Sequence, residues 1–202
     1  MAAQGLVHGP LDKSCLHLCV DMQRLFGRGY PWAVPWLEKV LPAIEALCAR
    51  HPDRTVFTRF IPAVRAGEGR GTWARYYRRW ASVTLERIGD DAVRLVPALE
   101  RFAPPARILD KSVYSPWTEG RLDRLLAGSG VDTVIISGGE TDVCVLATFL
   151  GAVDRGLRVI LVTDALCSSS DETHDALMEL YLSRFSEQVE VARTEEILDG
   201  WR

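Results

Sequence analysis

Short runs of β-branched and aliphatic residues alternate with amphipathic segments of helical period along nearly the whole chain. This order restricts the fold more than any other feature. Residues 15–20, 54–60, 106–110, 133–137, 157–162 and 189–192 read as strands. Between them, 35–50 carries Leu37, Val40, Leu41, Ile44, Leu47 and Cys48 at helical spacing, and 72–80, 119–126, 144–156 and 171–185 read as further helices. Strands separated by helices pair in parallel, because each crossover returns the chain to the same edge of the sheet. The expected fold is α/β: a three-layer αβα sandwich around a mainly parallel, Rossmann-like central sheet. One domain is expected over residues 1–202. A lid-like insertion around 61–90 is punctuated by Gly67, Gly69 and Gly71.

Composition narrows the function classes. A net charge of −3 gives no general attraction to nucleic acid or to an anionic membrane surface. No segment reaches the roughly 18 consecutive apolar residues of a membrane span, and the first ten residues lack the pattern of a secretory signal. Five cysteines without C-x-x-C spacing, together with four scattered histidines, argue against a disulfide framework and against a zinc site. These properties predict a soluble cytoplasmic protein that acts on a small molecule, without nucleic acid, membrane, metal or cofactor.

The segment Gly138-Gly139-Glu140-Thr141-Asp142-Val143-Cys144-Val145 follows the apolar run Val134-Ile135-Ile136 and opens a helical pattern. Cys144 therefore belongs to the first turn of a helix just beyond a buried strand. Free backbone N–H groups and the helix dipole there favour a thiolate and an oxyanion. A lone cysteine in this position is more often a small buried residue. Two other strand ends change the balance. The first strand ends in Asp21 and the third runs into Lys111. In a parallel sheet the active site lies beyond the carboxyl ends of the strands. A carboxylate, an ammonium and a thiol thus meet at one edge, the set required for nucleophilic catalysis.

At these residues the chain resembles the isochorismatase-like cysteine hydrolase superfamily, which includes nicotinamidases and N-carbamoylsarcosine amidohydrolases. The resemblance rests on Val20-Asp21-Met22-Gln23 with Phe26, on Asp110-Lys111-Ser112-Val113-Tyr114-Ser115, on the Gly138-to-Val145 segment and on Val162-Thr163-Asp164-Ala165. It implies that Asp21, Lys111 and Cys144 form a catalytic triad and that the Gly139–Glu140 peptide is cis. It also implies an oxyanion hole made by the N–H groups of Glu140 and Cys144, and a homodimer or larger assembly. One departure matters. Nicotinamidases carry an Asp-x-His metal motif just after the second strand, and the matching stretch here is Thr58-Arg59-Phe60-Ile61-Pro62. The expected activity is metal-independent hydrolysis of an amide, carbamoyl or ureido C–N bond through a Cys144 acyl-enzyme. The alternatives are isochorismatase-type vinyl ether hydrolysis and a non-catalytic binding protein on the same scaffold.

Substrate contacts are expected from Phe26, Arg59, Trp80, Tyr114 and Gln23. Arg59 has two readings, a partner for a substrate carboxylate or half of a structural ion pair. Gln23 leans towards orienting Asp21 or the backbone beside it. Trp73, Tyr76, Tyr77 and Trp80 recur at i, i+3, i+4, i+7, which makes one aromatic helix face, either a core contact or a lid. His174 reads as part of a helix start capped by Ser170 or Asp171, with a catalytic role as the weaker reading. Cys15, Cys19, Cys48 and Cys167 read as packing residues. Trp32, Trp36 and Trp117 read as exposed anchors for a partner copy.

Overall fold

The computed structural model describes residues 5–202. Six strands, β1 (Cys15–Val20), β2 (Thr55–Phe60), β3 (Arg107–Lys111), β4 (Thr133–Gly139), β5 (Arg158–Cys167) and β6 (Val189–Ala192), form one sheet of order β3-β2-β1-β4-β5-β6. Every neighbouring pair is parallel. The helices are α1 (Leu37–Arg50), α2 (Thr72–Arg79), α3 (Leu85–Ile88), α4 (Pro97–Glu100), α5 (Arg121–Leu126), α6 (Leu146–Val153), α7 (Asp171–Arg184) and α8 (Thr194–Gly200). A π-type turn over Thr141–Val145 leads into α6. Among the described residues, no helix is long and apolar enough to cross a membrane.

Side chains alternate across a strand, so a sheet covered on both sides needs two separate cores. Cys15 and Cys19 of β1 pack with Phe57, Ile135 and Ile160 under α1 and α8, where Ile44, Leu47, Ile197 and Trp201 close the layer. Leu16, Leu18 and Val20 face the other way, into Val134, Ile136 and Leu161, covered by Leu122 of α5, Phe149 of α6 and Tyr181 of α7. Each such buried aliphatic or aromatic side chain contributes about 1.5–3 kcal/mol. Helices on both faces give the αβα layering, and the four cysteines besides Cys144 are all buried within it.

Several boundaries differ from the sequence expectation. β4 runs on to Gly139 and β5 to Cys167, because pairing resumes past a register shift between Ile136 and Gly138. The polar pair Thr163-Asp164 hides this continuation from a pattern reading. Helix α8 has no counterpart in the expected elements. Its start is marked by the Arg193 N–H donating to the Glu196 carboxylate at 2.7 Å, a local signal without a long apolar stripe behind it.

The chain passes from β1 to β2 and β3 on one side, then returns to place β4 on the other side of β1. The crevice at such a reversal lies between the carboxyl ends of β1 and β4. Gly138 makes that junction possible. It has φ +101°, and a Cβ there would sit 2.1 Å from the Val20 carbonyl oxygen. Gly138→Ala is expected to destabilise the fold by about 3 kcal/mol or more, read from the midpoint of denaturant unfolding.

Candidate active site

Asp21 immediately follows β1 in the left-handed region, at φ 52°. Its carboxylate is buried and held at both oxygens. The Thr58 hydroxyl donates to Oδ1 at 2.6 Å and the Lys111 ammonium donates to Oδ2 at 2.6 Å. The Asp21 N–H donates in turn to the Thr58 carbonyl at 3.2 Å, which ties the turn to β2. Lys111, the last residue of β3, is 2% exposed. Besides Asp21 it donates to Cys144 Sγ at 3.3 Å and to the Val113 carbonyl at 3.3 Å. Asp21 and Cys144, both far from Lys111 in the chain, are thus brought together around one ammonium.

Cys144 lies in the π-type turn, and its surroundings fix that turn. The Glu140 carbonyl accepts from the N–H groups of Val143 and Val145 at 3.1 and 3.0 Å. Thr141 is held three times. Its hydroxyl donates to the Cys167 carbonyl at 3.1 Å and meets His174 Nδ1 at 2.8 Å, while its own carbonyl accepts from Tyr181 at 2.8 Å. The hydroxyl has one proton, so the bond to Cys167 leaves it an acceptor for His174, which donates from Nδ1. His174 is therefore a support of the turn, packed against Trp36 with ring centroids 5.7 Å apart. The helix that holds it is capped by Ser170, whose hydroxyl accepts from the Thr173 N–H at 3.3 Å. The Gly139–Glu140 peptide is cis.

The electrostatics of the thiol differ from the simple helix-start expectation. Burial and the adjacent Asp21 carboxylate push the Cys144 thiol well above the ordinary thiol range, and Lys111 pulls the other way without prevailing. Burial works to lower the Lys111 pKa, but the Asp21 carboxylate at 2.6 Å acts against it, and the ammonium is held above its usual range.

A cavity of about 280 Å³ opens over Cys144, walled by Phe26, Trp32, Phe60, Tyr76, Trp80 and Tyr114, with Glu140, Val143 and Ser169 completing it. Phe26, Trp80 and Tyr114 therefore stand where substrate contacts were expected. Two expected contacts do not. Arg59 makes a bidentate pair with Asp110, at 2.7 and 2.9 Å, across the β2–β3 register. It lies on the opposite side of β2 from Thr58 and Phe60, because side chains alternate along a strand. Gln23 is fully buried and clamps backbone. Its amide donates to the carbonyls of Phe60 and Val93 and accepts from the Phe60 N–H, at 3.0, 2.8 and 2.7 Å.

The aromatic face of α2 divides. Tyr76 and Trp80 reach the cavity, whereas Tyr77 is buried and Trp73 packs on Tyr114 with centroids 5.0 Å apart. Trp32 is the cavity residue that the sequence reading placed elsewhere. It touches Phe26, Phe60, Tyr76 and Trp80 with centroids 5.9–6.2 Å away. Its only sequence signal is a position in the loop that follows a site-bearing strand. Trp117 is no exposed anchor either. It is 4% exposed, donates to the Thr148 carbonyl at 2.9 Å, and fits where Gly151 lacks a side chain. Trp36 is partly covered, with the Lys39 ammonium 3.9 Å over its ring.

A model of the isochorismatase domain matches residues 15–193. The chain belongs to the isochorismatase family. This isochorismatase-family hydrolase is 29% identical to nicotinamidase 3 of Arabidopsis thaliana over 170 residues, 84% of this chain and 81% of that protein. A cysteine hydrolase from Pseudomonas syringae pv. phaseolicola superposes with a TM-score of 0.79 at 24% identity, covering 98% of this chain and 97% of the other. The N-carbamoylsarcosine amidase of Thermoplasma acidophilum superposes with a TM-score of 0.70 at 24% identity, covering 90% and 96%. At the end of β2, the stretch compared above with a metal motif, Thr58 is engaged by Asp21, Arg59 by Asp110, and Phe60 faces the cavity. A hydroxyl, a guanidinium and a ring do not fit a divalent cation. Among the described residues, no group of three or more His, Cys, Asp or Glu is placed to hold a metal.

Proposed function

We propose that this hydrolase cleaves the C–N bond of a small amide, carbamoyl or ureido compound through a Cys144 acyl-enzyme, without a metal. The observation that carries this reading is the contact of one buried ammonium with both Asp21, at 2.6 Å, and Cys144 Sγ, at 3.3 Å, beside an open, aromatic-lined cavity.

The raised thiol requires a base, and Asp21 is within its field. As Sγ bonds to the substrate carbonyl carbon, its proton passes to Asp21, and Lys111 compensates the anionic character that develops. The carbonyl oxygen gathers charge beside the start of α6. There the N–H groups of Glu140 and Cys144 serve as its oxyanion hole, since the first turn of a helix leaves N–H groups without intrahelical partners. The C–N bond breaks and the leaving nitrogen takes the proton from Asp21. Water then attacks the thioester and gives a proton to the same carboxylate, and the carboxylic or carbamic acid leaves as Cys144 regains its proton. The 61–90 segment acts as a lid through Tyr76 and Trp80, which exclude bulk water from the thioester.

Ammonia release from a panel of small amides, set beside pyruvate release from isochorismate, tests this reading. Ammonia is the expected product, and pyruvate alone overturns it. Arg59, the group available for an anionic vinyl ether, is already paired with Asp110. Dialysis against a chelator is expected to leave the rate within about twofold of its starting value, whereas a metal-dependent hydrolase loses its activated water.

A further inference from the structure

The cavity has an uncommon electrostatic character. Its lining carries six aromatic rings and, besides the paired catalytic groups, a single ionisable carboxylate, that of Glu140. The Lys111 ammonium is matched by Asp21 at 2.6 Å, and Arg59 is turned away into its pair with Asp110. Among the lining side chains Glu140 therefore stands as the one charged group without a charged partner. Glu140 is fixed at the wall by the Ser169 N–H, which donates to its Oε1 at 3.0 Å.

The rings stand at different inclinations around this space. Trp32 is tilted 62° from Phe60, 70° from Trp80 and 46° from Tyr76. Aromatic faces are electron-rich and attract cations, above all when water is displaced. Two of these rings already hold one, with Lys111 Nζ 5.2 Å from the Phe60 centroid and the Arg79 guanidinium 5.7 Å from that of Trp80. A carboxylated substrate would meet π faces and Glu140 here, with no unpaired cation among the lining residues.

We propose that the cavity selects a small amide bearing an ammonium group, quaternary or protonated, received by the faces of Trp32, Tyr76 and Trp80 and by the Glu140 carboxylate. The inference deepens the proposed amide hydrolysis and rests on it only for turnover, because recognition of the cation is a binding property. The volume of about 280 Å³ lies at the lower end of ligand pockets and suits a small molecule.

Two amides of the same shape isolate the charge: trimethylglycinamide and its carbon isostere 3,3-dimethylbutanamide. For the full chain, ammonia release is expected to favour the cationic amide by about tenfold or more in kcat/KM. Binding of both amides to Cys144→Ala, followed by tryptophan fluorescence, is expected to show the same preference. Glu140→Gln and Trp32→Leu in that background should each cut the binding ratio by about threefold or more. Equal or reversed binding of the pair, no binding of either, or a ratio indifferent to both substitutions overturns the inference. Preferential binding of the cation with no turnover of any amide overturns the proposed hydrolysis and leaves the cation site standing.

Discussion

Cys144→Ala is expected to lower amide turnover by about 10³-fold or more while the fold persists. The thiol is the nucleophile of the proposed mechanism, and loss of a nucleophile removes the chemical step rather than substrate affinity. The substitution deletes one sulfur from a site that is 6% exposed, and the Thr148 hydroxyl bond to the Cys144 carbonyl survives because it involves only backbone at that residue. Thermal unfolding should therefore shift by only a few degrees. Intact mass spectrometry provides the second readout. Native protein quenched during turnover carries an acyl mass on the peptide containing Cys144, and the variant carries none. Turnover within tenfold of native would end the covalent mechanism.

Asp21→Asn is expected to move two measurements in opposite directions. Amide turnover should fall by about 10²–10⁴-fold, because the proton acceptor is gone. Alkylation of Cys144 by iodoacetamide near pH 8 should become faster. The sign follows from the causes acting on the thiol: burial raises its pKa first, the Asp21 charge raises it further, and Lys111 lowers it. Asparagine removes the second and leaves the third, so the thiolate becomes the sole anion for Lys111 and the pKa falls. Each unit of fall brings roughly tenfold more thiolate in this range. In the native protein the alkylation rate should keep climbing beyond about pH 10.5, where an ordinary thiol has levelled off. Breaking a buried pair costs about 3–5 kcal/mol, so the comparison belongs well below the unfolding temperature of the variant. A parallel fall in both rates would mean that Asp21 merely supports the local fold.

The alternation of strands and helices was legible from periodicity because each element buries its own stripe, and strand ends in a parallel sheet point to one edge whatever the loops do. That logic brought Asp21, Lys111 and Cys144 to the same place from three strands. What stayed hidden depends on contacts between elements. The Arg59–Asp110 pair arises from the β2–β3 register, which no local pattern encodes. Trp32 joins the cavity through a loop without periodicity, and Gln23 is absorbed by backbone groups 37 and 70 positions away. For the thiol, the helix start was visible in sequence, whereas the burial and the neighbouring carboxylate that push its pKa up were not.

Strand β3 has one neighbour only, β2, and forms the outer edge of the sheet. Lys111 is its last residue, whereas Asp21 and the Cys144 turn follow strands paired on both sides. Edge strands are among the first segments to open in local fluctuations. The ammonium is thus suspended from one of the two outer rungs, while the groups it contacts hang from inner ones. Gentle heating or dilute denaturant should disarm the molecule reversibly while the tyrosines and tryptophans of its interior still report an intact body. Resistance to inactivation would then be improved most directly by bracing that one rim.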